Sequence, residues 1–381
     1  MKNSVLDSRL KKAQERMAEF GIEAMFLSPT ADLEYLIGER RRRPTFAKLL
    51  WTNGWVMGAW IPQTGEPFFT APRMAADYEL VNEEGLEVLV LEDSGNSTEF
   101  LKGVVRRLGL AEKKVAIEDR AWSSFLIDLL NAEPSIRPAL ASSIIGPMRA
   151  IKGPEEIEKL RKASEITDRA FGITVSKMKM GDCEIDVRDE LEYQIRQLGS
   201  DISMTTAVLG WGENFPRKAL DRDYLTRAPF TPGTVVDFDF GALYDGYCTD
   251  FGRVVHFGEP SKEFMAAYDA AVNAEKTAIA AMKGDAITAE ELHFLSLSVI
   301  REAGFGEYHP DRTGHGIGMD IHEHPFLDEG FPALLKNGMV FTVEPQIIKG
   351  PILARIEDLA VVTENGGEQL THYTKELQII T

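Results

Sequence analysis

The sequence predicts two domains, a small α/β domain over residues 1–148 and an α+β domain over residues 149–381. The chain has 381 residues, which is more than one hydrophobic core usually supports. Helical and strand-like patterns alternate in the first part, whereas the second part shows helix pairs followed by strands. Between the two parts, Gly153 and Pro154 precede acidic residues, a pattern typical of a helix start.

The first domain begins with a predicted amphipathic helix. Its apolar residues recur at helical spacing with charged residues between them, so the segment is unlike the uncharged core of an export signal. These apolar residues are Leu6, Leu10, Ala13, Met17 and Phe20. Strand-like runs follow, namely AMFLS, WVMGAWIP, LEVLVL and KVAIED, and a further helix is predicted over residues 97–108.

The second domain is predicted to repeat one order of elements. Two long helices fill residues 154–199, and strands follow to residue 258. Two more helices fill residues 261–304, and strands complete the chain. Thr288 and Glu291 have the spacing of a capping box at the start of the last of these helices. The repeated order suggests an internal duplication with a site between its halves.

Composition excludes several classes of partner. The net charge of -18 opposes binding to nucleic acid or to anionic membranes, because both are held by dense Lys and Arg. The sequence has no apolar run of the roughly 18 residues that a membrane span needs. Its two cysteines, Cys183 and Cys248, give no disulfide framework, which indicates a reducing cytoplasm. We interpret Cys248 as a small buried apolar residue, with a position near a bound metal ion as the alternative.

The segment TVVDFDFGALYDGYCTDFGR carries the first candidate ligands. Strand alternation places Phe238 on one face and both Asp237 and Asp239 on the other. A turn after Gly241 reverses the chain, so a second strand could bring Asp250 beside Asp239. An alternative is a hairpin with a solvated acidic face, because acids on exposed strand faces are common.

Three later segments add one histidine and two glutamates. In DRTGHGIGMDIHEHP, His315 lies between two glycines that would let the backbone approach an ion or a substrate. His324, before a proline, is interpreted as a loop residue. In MVFTVEP and ARIEDLAVVT, Glu344 and Glu357 lie on strands that otherwise look buried. Surface acids are the alternative interpretation, although an ionised carboxylate is rarely buried unless it is paired or binds metal.

Together these residues suit a two-metal hydrolytic site. The candidate ligands are Asp239, Asp250, His315, Glu344 and Glu357. Oxygen-rich donors with one imidazole suit paired ions of the Mn, Fe or Co type, whereas a structural zinc site usually draws on cysteine. Four clustered carboxylates would repel one another, and two dications would balance their charge.

Four motifs, DFGALYDGYCTD, GHGIGMDIHE, VEP and RIED, in this order, resemble those of the creatinase, prolidase and aminopeptidase P group of M24 metallopeptidases. The stretch RLKKAQERMAEFGIEAMFLSPTADLEYLIG is similar to the opening of the family's N-terminal domain. The stretch IKGPEEIEKLRKASEITDRAF is similar to the start of its catalytic domain. The resemblance covers nearly the whole chain and implies a pita-bread fold for the second domain.

The resemblance also implies a mechanism. The five candidate ligands would hold two divalent ions, with Asp250 and Glu357 bridging them. Manganese is the expected metal, and cobalt, iron and zinc suit the same ligands. Glu344 would move a proton from the attacking water toward the leaving nitrogen, while His322 would contact the substrate near its carbonyl and Arg355 would lie near the metals. The expected protein is a homodimeric Xaa-Pro dipeptidase or aminopeptidase.

Three departures from the family pattern bear on the substrate. Proline-specific members usually have a histidine where this chain has Asp311, and another after the GxN turn, where GENFPRKALDR has none. Gly252 replaces the usual threonine after the second aspartate. Such histidines help to position the substrate and to stabilise charge at its carbonyl, so their absence argues against Xaa-Pro specificity. Asp237 is an additional acid, which we interpret as a partner of the ligands, with a sixth ligand as the alternative.

Two other functions therefore stay open. One is hydrolysis of a small cyclic or modified amide, as in ectoine-hydrolase-like relatives, or a lyase reaction at the same site. The other is a non-catalytic binding protein on the same scaffold, which the presence of all five ligands disfavours.

Two features of the first domain have ordinary interpretations. The basic run Arg40–Arg43 is interpreted as a solvated or salt-bridged cluster, with a reach toward a neighbouring active site as the alternative. Trp51, Trp55 and Trp60 are interpreted as core or dimer-interface aromatics rather than pocket walls.

Overall fold

The computed structural model describes residues 4–38, 50–79, 87–216, 225–309 and 312–381. Contacts divide the chain into two compact units, residues 1–149 and residues 150–381. The Arg40–Arg43 run, Asp311 and residues 217–224 lie outside the described residues. Within the described ranges, no helix combines the length and the apolar character that crossing a membrane requires.

The first unit is built on a six-stranded mixed sheet with the strand order β4-β3-β2-β1-β5-β6. Strands β1, β5 and β6 run parallel, as do β3 and β4, and β2 is antiparallel to both of its neighbours. The strands are β1 Ile22–Leu27, β2 Gly58–Pro62, β3 Phe68–Pro72, β4 Glu87–Leu91, β5 Lys114–Ile117 and β6 Arg137–Leu140. The helices are α1 Ser4–Glu19, α2 Ala31–Ile37, α3 Arg73–Glu79, α4 Ser97–Leu108, α5 Ser123–Ala132 and α6 Ser142–Ala150. The predicted α/β class is confirmed.

Aromatic residues fill the core of this unit. Phe26 stacks on Phe125 with ring centroids 3.8 Å apart, and Trp60 packs 5.1 Å from Phe26. The indole nitrogen of the fully buried Trp60 donates to Thr70 Oγ1 at 3.2 Å. Trp55 packs against the same cluster, so these two tryptophans are core residues.

The second unit contains an eleven-stranded sheet whose main path is β12-β11-β13-β15-β10-β8-β7. Its first seven strands are β7 Ser203–Trp211, β8 Val235–Tyr244, β9 Tyr247–Cys248, β10 Phe251–Phe257, β11 Gly314–Gly316, β12 Glu323–Leu327 and β13 Val340–Val343. The remaining strands are β14 Gln346–Lys349, β15 Ile352–Thr363, β16 Gly366–Gln369 and β17 Gln378–Ile380. The helices are α7 Pro154–Lys177, α8 Glu184–Gln197, α9 Lys262–Ala281 and α10 Ala289–Glu302. The predicted order of helix pairs and strands, and with it the α+β class, is confirmed.

Local signals set the starts of the helices. The Glu156 carboxylate accepts from the backbone N–H of Gly153 at 2.9 Å, just before α7 begins. The predicted capping box opens α10, where Glu291 N donates to Thr288 Oγ1 at 3.2 Å and Thr288 N donates to the Glu291 carboxylate at 2.8 Å. Such caps satisfy backbone N–H groups that have no partner inside the helix.

Strand β8 separates an apolar face from an acidic face. Val236, Phe238 and Phe240 pack into a core cluster, and Phe171 of α7 lies 5.1 Å from the Phe238 ring. The predicted alternation is therefore confirmed, and Asp237 and Asp239 lie on the opposite face. His324, by contrast, was wrongly expected in a loop. It lies in β12, the strand at one end of the sheet path. Proline, which has no N–H to donate to a neighbouring strand, is tolerated in such an edge strand.

Candidate metal centre

Three neighbouring strands place two carboxylates in one row. Asp239 on β8 and Glu357 on β15 both pair with Gly252 on β10, which runs between them. Paired residues of adjacent strands point to the same side of a sheet. Glycine leaves this side open: a Cβ at residue 252 would lie 2.7 Å from Glu357 Oε2. The two carboxylates can therefore approach across the central strand.

The remaining candidate ligands lie on β11 or directly beside β10 and β13. Asp250 directly precedes β10, and Glu344 directly follows β13. His315 lies in the middle of β11, where its backbone N–H donates to Thr342 Oγ1 at 3.0 Å. The backbone N–H of Glu344 donates to the Thr313 carbonyl at 2.7 Å, which fixes the backbone at Glu344. Residues of β8, β11 and β15 and residues that flank β10 and β13 thus converge.

The five predicted side chains form two overlapping groups. Asp239, Asp250 and Glu357 offer oxygen atoms within 4.8 Å of one another, and so do the donor atoms of His315, Glu344 and Glu357. The His315 Nε2 atom lies 3.6 Å from Asp250 Oδ2 and 3.4 Å from Glu344 Oε1. Both groups contain Glu357, so its carboxylate lies at their junction.

The histidine is oriented for coordination through one nitrogen. Its Nδ1 atom lies 3.0 Å from the Gly316 carbonyl, and the tautomer that donates this hydrogen bond leaves Nε2 as the basic nitrogen. That nitrogen faces the carboxylates of Asp250 and Glu344. A hydrogen bond from the other ring nitrogen is the usual way in which proteins orient a metal-binding histidine.

Arg355 supplies a buried positive charge to the same cluster. Its guanidinium donates to Asp239 Oδ2 at 2.7 Å, to Glu357 Oε2 at 2.6 Å and to Glu344 Oε2 at 3.2 Å. Asp237 Oδ2 lies 3.7 Å from the same group. One cation thus faces four carboxylates, so the cluster keeps an excess of negative charge when all four are ionised.

The pKa values reflect burial together with this excess of negative charge. Burial and the nearby Asp239 carboxylate raise the pKa of Asp250 to about 6. Burial and repulsion from Asp250 raise the pKa of Glu357 well above its ordinary value, although Arg355 acts in the opposite direction. Burial lowers the pKa of His315, but Asp250 and other carboxylates outweigh it and raise the pKa. Each shift shows that the cluster favours added positive charge.

These residues fit divalent metal ions. Glu357 Oε1 is buried and has no hydrogen-bond partner among the described residues, although an ionised carboxylate normally needs two or more. Carboxylate oxygens with one imidazole are the donors that Mn, Fe, Co and Zn accept. A cation at the junction would satisfy the oxygen and offset the charge that raises these pKa values.

The other predicted residues occupy distinct positions around the cluster. The exposed His322 ring lies 4.2 Å from the His315 ring, and its nitrogen falls within 4.8 Å of donor atoms from Asp250 and His315. Asp237 is buried and faces Arg355. Cys248 is buried and donates to the Met319 carbonyl, with a Sγ to oxygen distance of 3.4 Å, so it contacts the turn before His322.

A second buried charge cluster escaped the sequence-based reasoning. Arg253 donates to Asp358 Oδ1 at 2.8 Å and to the Glu357 carbonyl at 2.8 Å. Lys375 donates to Asp358 Oδ2 at 2.7 Å. These contacts tie β10, β15 and the C-terminal segment together behind the candidate ligands. The alternation within RIED, which puts Asp358 opposite Glu357, is the signal that could have revealed it.

We predict that Gly252→Ala weakens metal binding. The added methyl group would lie 2.7 Å from Glu357 Oε2 and 3.0 Å from Arg355 Nε, so the carboxylate must move. A displaced ligand should reduce metal affinity about 10- to 100-fold. Calorimetric titration with Mn²⁺ measures this. The control is Gly103→Ala, at an exposed helical position of the first unit where an added methyl group meets no atom within 4 Å. Unchanged affinity in Gly252→Ala would show that the row tolerates a side chain.

Metal affinity should also depend on pH. Because the pKa of Asp250 is raised to about 6, its carboxyl group is mostly ionised at about pH 7 and mostly protonated at about pH 5. Metal must then displace the proton, which costs about tenfold in affinity per pH unit below the pKa. Titrations in two buffers of different ionisation enthalpy should show proton release that grows as pH falls from about 7 to about 5. Equal release at both pH values would contradict the shift.

Comparison with known proteins gives a consistent result over nearly the whole chain. Residues 158–364 match the profile described as metallopeptidase family M24, and residues 9–151 match the creatinase/prolidase N-terminal domain. An uncharacterized peptidase, YqhT, of Bacillus subtilis is 31% identical over 378 residues, which cover 98% of this chain and all of that protein.

Two solved structures share the architecture of both units. A prolidase from Thermococcus sibiricus superimposes with a TM-score of 0.87 at 28% identity, over 99% of this chain and all of that one. An Xaa-Pro dipeptidase from Bacillus anthracis gives a TM-score of 0.83 at 28% identity, over 98% of this chain and all of that one. The expected pita-bread fold of the second unit is thereby confirmed.

Proposed function

The chain belongs to metallopeptidase family M24, and we propose that it is an Xaa-Pro dipeptidase or aminopeptidase that uses two divalent metal ions. The observation that carries the proposal is the pair of donor groups that share Glu357. A carboxylate common to two groups is suited to bridge two ions. Asp250 belongs to the group that contains Asp239, and its Oδ2 atom lies 3.6 Å from His315 Nε2 in the other group. Asp250 is therefore suited to be the second bridging carboxylate.

The proposed metal is manganese, with cobalt, iron or zinc able to use the same donors. Four carboxylates and one imidazole form the proposed set, and none of the donors is a thiolate. When bound, such ions polarise a substrate carbonyl and make water a stronger nucleophile at neutral pH.

Glu344 is the proposed proton carrier. Its side chain is about one-eighth exposed and is therefore the most accessible of the five, at 13% against 10% for Asp250. The Thr342 hydroxyl donates to Glu344 Oε1 at 3.3 Å and Arg355 to Oε2 at 3.2 Å, so both oxygens are oriented. A carboxylate held in this way can accept a proton from water and pass it to the leaving nitrogen.

His322 and Arg355 are the proposed partners of Glu344. His322 is exposed beside His315, so its ring can reach a substrate carbonyl and donate a hydrogen bond as charge develops on the oxygen. Arg355 is buried behind the carboxylates and holds Asp239, Glu344 and Glu357 in place. Its charge also limits their mutual repulsion.

The proline-directed part of the proposal is supported by the similar structures. The prolidase and the Xaa-Pro dipeptidase described above superimpose over 99% and 98% of this chain, each at 28% identity. The net charge of -18 opposes binding to nucleic acid. A homodimer in the cytoplasm completes the proposal, and light scattering on the purified protein tests the dimer.

A panel of peptides tests the substrate. Manganese-loaded protein should release the first residue from Ala-Pro and leave Ala-Ala intact, and a longer peptide such as Ala-Pro-Ala-Ala separates dipeptidase from aminopeptidase activity. Glu344→Gln, prepared in the same way, is the control for contaminating peptidases because it lacks the proposed proton carrier and one carboxylate of the proposed metal site. Failure to cleave any Xaa-Pro peptide, by protein that contains two ions, would contradict the proposal.

A second candidate is hydrolysis of a small cyclic or modified amide, or a lyase reaction, at the same metals. Asp237 favours it, because an additional buried acid lies 3.7 Å from Arg355 at the edge of the cluster. Under this alternative, two-metal protein would be inactive on the peptide panel but active on small amides, and Asp237→Asn would abolish that activity.

A further inference from the structure

A buried lysine supports the turn that carries His322. Lys152 follows the first residue of the second unit by two positions, and its side chain is only 2% exposed. Its ammonium group donates to Glu323 Oε2 at 3.0 Å, and the glutamate side chain is 8% exposed. Burial of a lysine is costly without an acidic partner, so this pair is a fixed part of the structure.

The same glutamate closes the turn from the other side. Glu323 Oε1 accepts from the backbone N–H groups of Met319 and Asp320, at 2.9 and 3.1 Å. The lysine side chain crosses directly over Gly318, where a Cβ would lie 2.8 Å from Lys152 Cε. One carboxylate therefore joins Lys152 to both ends of the turn formed by residues 318–323.

Two further contacts fix the turn to Cys248 of β9, the short strand that pairs with the end of β8. Cys248 N donates to the Gly318 carbonyl at 2.7 Å, and the Cys248 thiol donates to the Met319 carbonyl. The neighbouring Tyr247 hydroxyl donates to Glu156 Oε1 at 2.8 Å. Residues 152–156, interpreted from sequence only as the start of a helix, thus contact both the turn and strand β9.

His322 is the residue that this anchoring places. It directly precedes Glu323, and its ring is exposed and lies against the ring of His315. We propose that Lys152 and Glu323 are positioning residues that fix the turn 318–323 and thereby set His322 beside His315. The catalytic part of this inference rests on the proposed function of His322, whereas the anchoring does not.

The variants follow from the contacts. Lys152→Met removes the ammonium group while keeping an unbranched chain of similar length, and Glu323→Gln keeps the shape but loses the charge. The matched control is Arg149→Met, because Arg149 forms a comparably buried ion pair with Asp32 in the first unit, with side chains 8% and 9% exposed. The control reports what the loss of a buried pair does to stability alone.

Kinetics on Ala-Pro separate positioning from general damage. Lys152→Met should lower kcat about 10- to 100-fold with KM little changed, the scale expected for a misplaced reacting group. In a His322→Ala background the same change should cost less than about twofold, because two residues that act through one group are not additive. Arg149→Met should leave kcat unchanged. An equal loss from Lys152→Met in both backgrounds would overturn the proposal.

Histidine NMR gives a measurement that needs no substrate. The chain has seven histidines, and His322 is assigned in zinc-loaded protein by the signal that His322→Ala removes. Lys152→Met and Glu323→Gln should both shift the His322 imidazole signals and leave those of His256 in place. An unmoved His322 signal would overturn the anchoring. If the variants shift the His322 signals but the wild-type protein cleaves no Xaa-Pro peptide, the anchoring is supported and only the proposed function is rejected.

Discussion

Replacing Glu357 with glutamine is expected to lower metal-dependent turnover by at least about 1,000-fold, because its carboxylate belongs to both donor groups. The side chain is fully buried, and glutamine keeps its shape while removing the charge. A neutral amide competes poorly for divalent ions, so the variant should hold fewer than two ions. Steady-state rates on Ala-Pro, together with metal analysis of the purified protein, measure both effects.

The fold should survive this substitution. Arg355 still has Asp239 and Glu344 as partners, at 2.7 and 3.2 Å. Circular dichroism should therefore match the wild type, and the same should hold for Glu357→Ala. Glu263→Gln is the matched control, because that glutamate is exposed in the same unit. A Glu357→Gln protein with more than a tenth of wild-type turnover would contradict the two-metal account.

Replacing Arg355 with methionine should produce the largest loss of stability. The guanidinium is fully enclosed, and burial lowers its pKa, but Asp239 and Glu357 outweigh this effect and raise it well above the ordinary value. Removing one partner of a buried ion pair costs about 3–5 kcal/mol, because the remaining charges are uncompensated. Urea unfolding of the metal-free protein measures the change in the free energy of unfolding.

Metal should offset part of that loss. Divalent ions supply positive charge at the same carboxylates, so the difference between Arg355→Met and wild type should shrink when manganese is added. Arg73→Met is the control, because Arg73 forms an exposed pair with Asp93, from which no measurable effect is expected. A metal-free Arg355→Met protein as stable as the wild type would show that the carboxylates need no internal cation.

Sequence patterns predicted the elements of the site better than their spatial relations. Alternation in VVDFDF placed Asp239 opposite the apolar residues, as the structure has it, since the period of a strand is fixed by its backbone. The pairing register between distant strands has no such local signal. The row formed by Asp239, Gly252 and Glu357, and hence the reason for a glycine at residue 252, became visible only in the fold.

Long-range ion pairs were the other limit. Lys152 and Glu323 are 171 positions apart, so nothing in either segment indicates the other. The segment IKGPEE was correctly interpreted as a helix start, with Gly153 and Glu156 in the expected places. That interpretation gave no role to Lys152, which pairs with Glu323. His324 was wrongly placed in a loop because Pro325 follows it and proline usually interrupts strands. Strand β12 lies at the end of the sheet, where proline is tolerated.

Titration of metal-free protein with Mn²⁺, with simultaneous measurement of bound metal and of Ala-Pro hydrolysis, tests the central claim most directly. The shared carboxylate of Glu357 predicts that hydrolysis reaches its maximum as the second ion binds, and that chelation abolishes it. Full hydrolysis by protein that holds no metal, or that saturates with a single ion, would contradict the two-metal account.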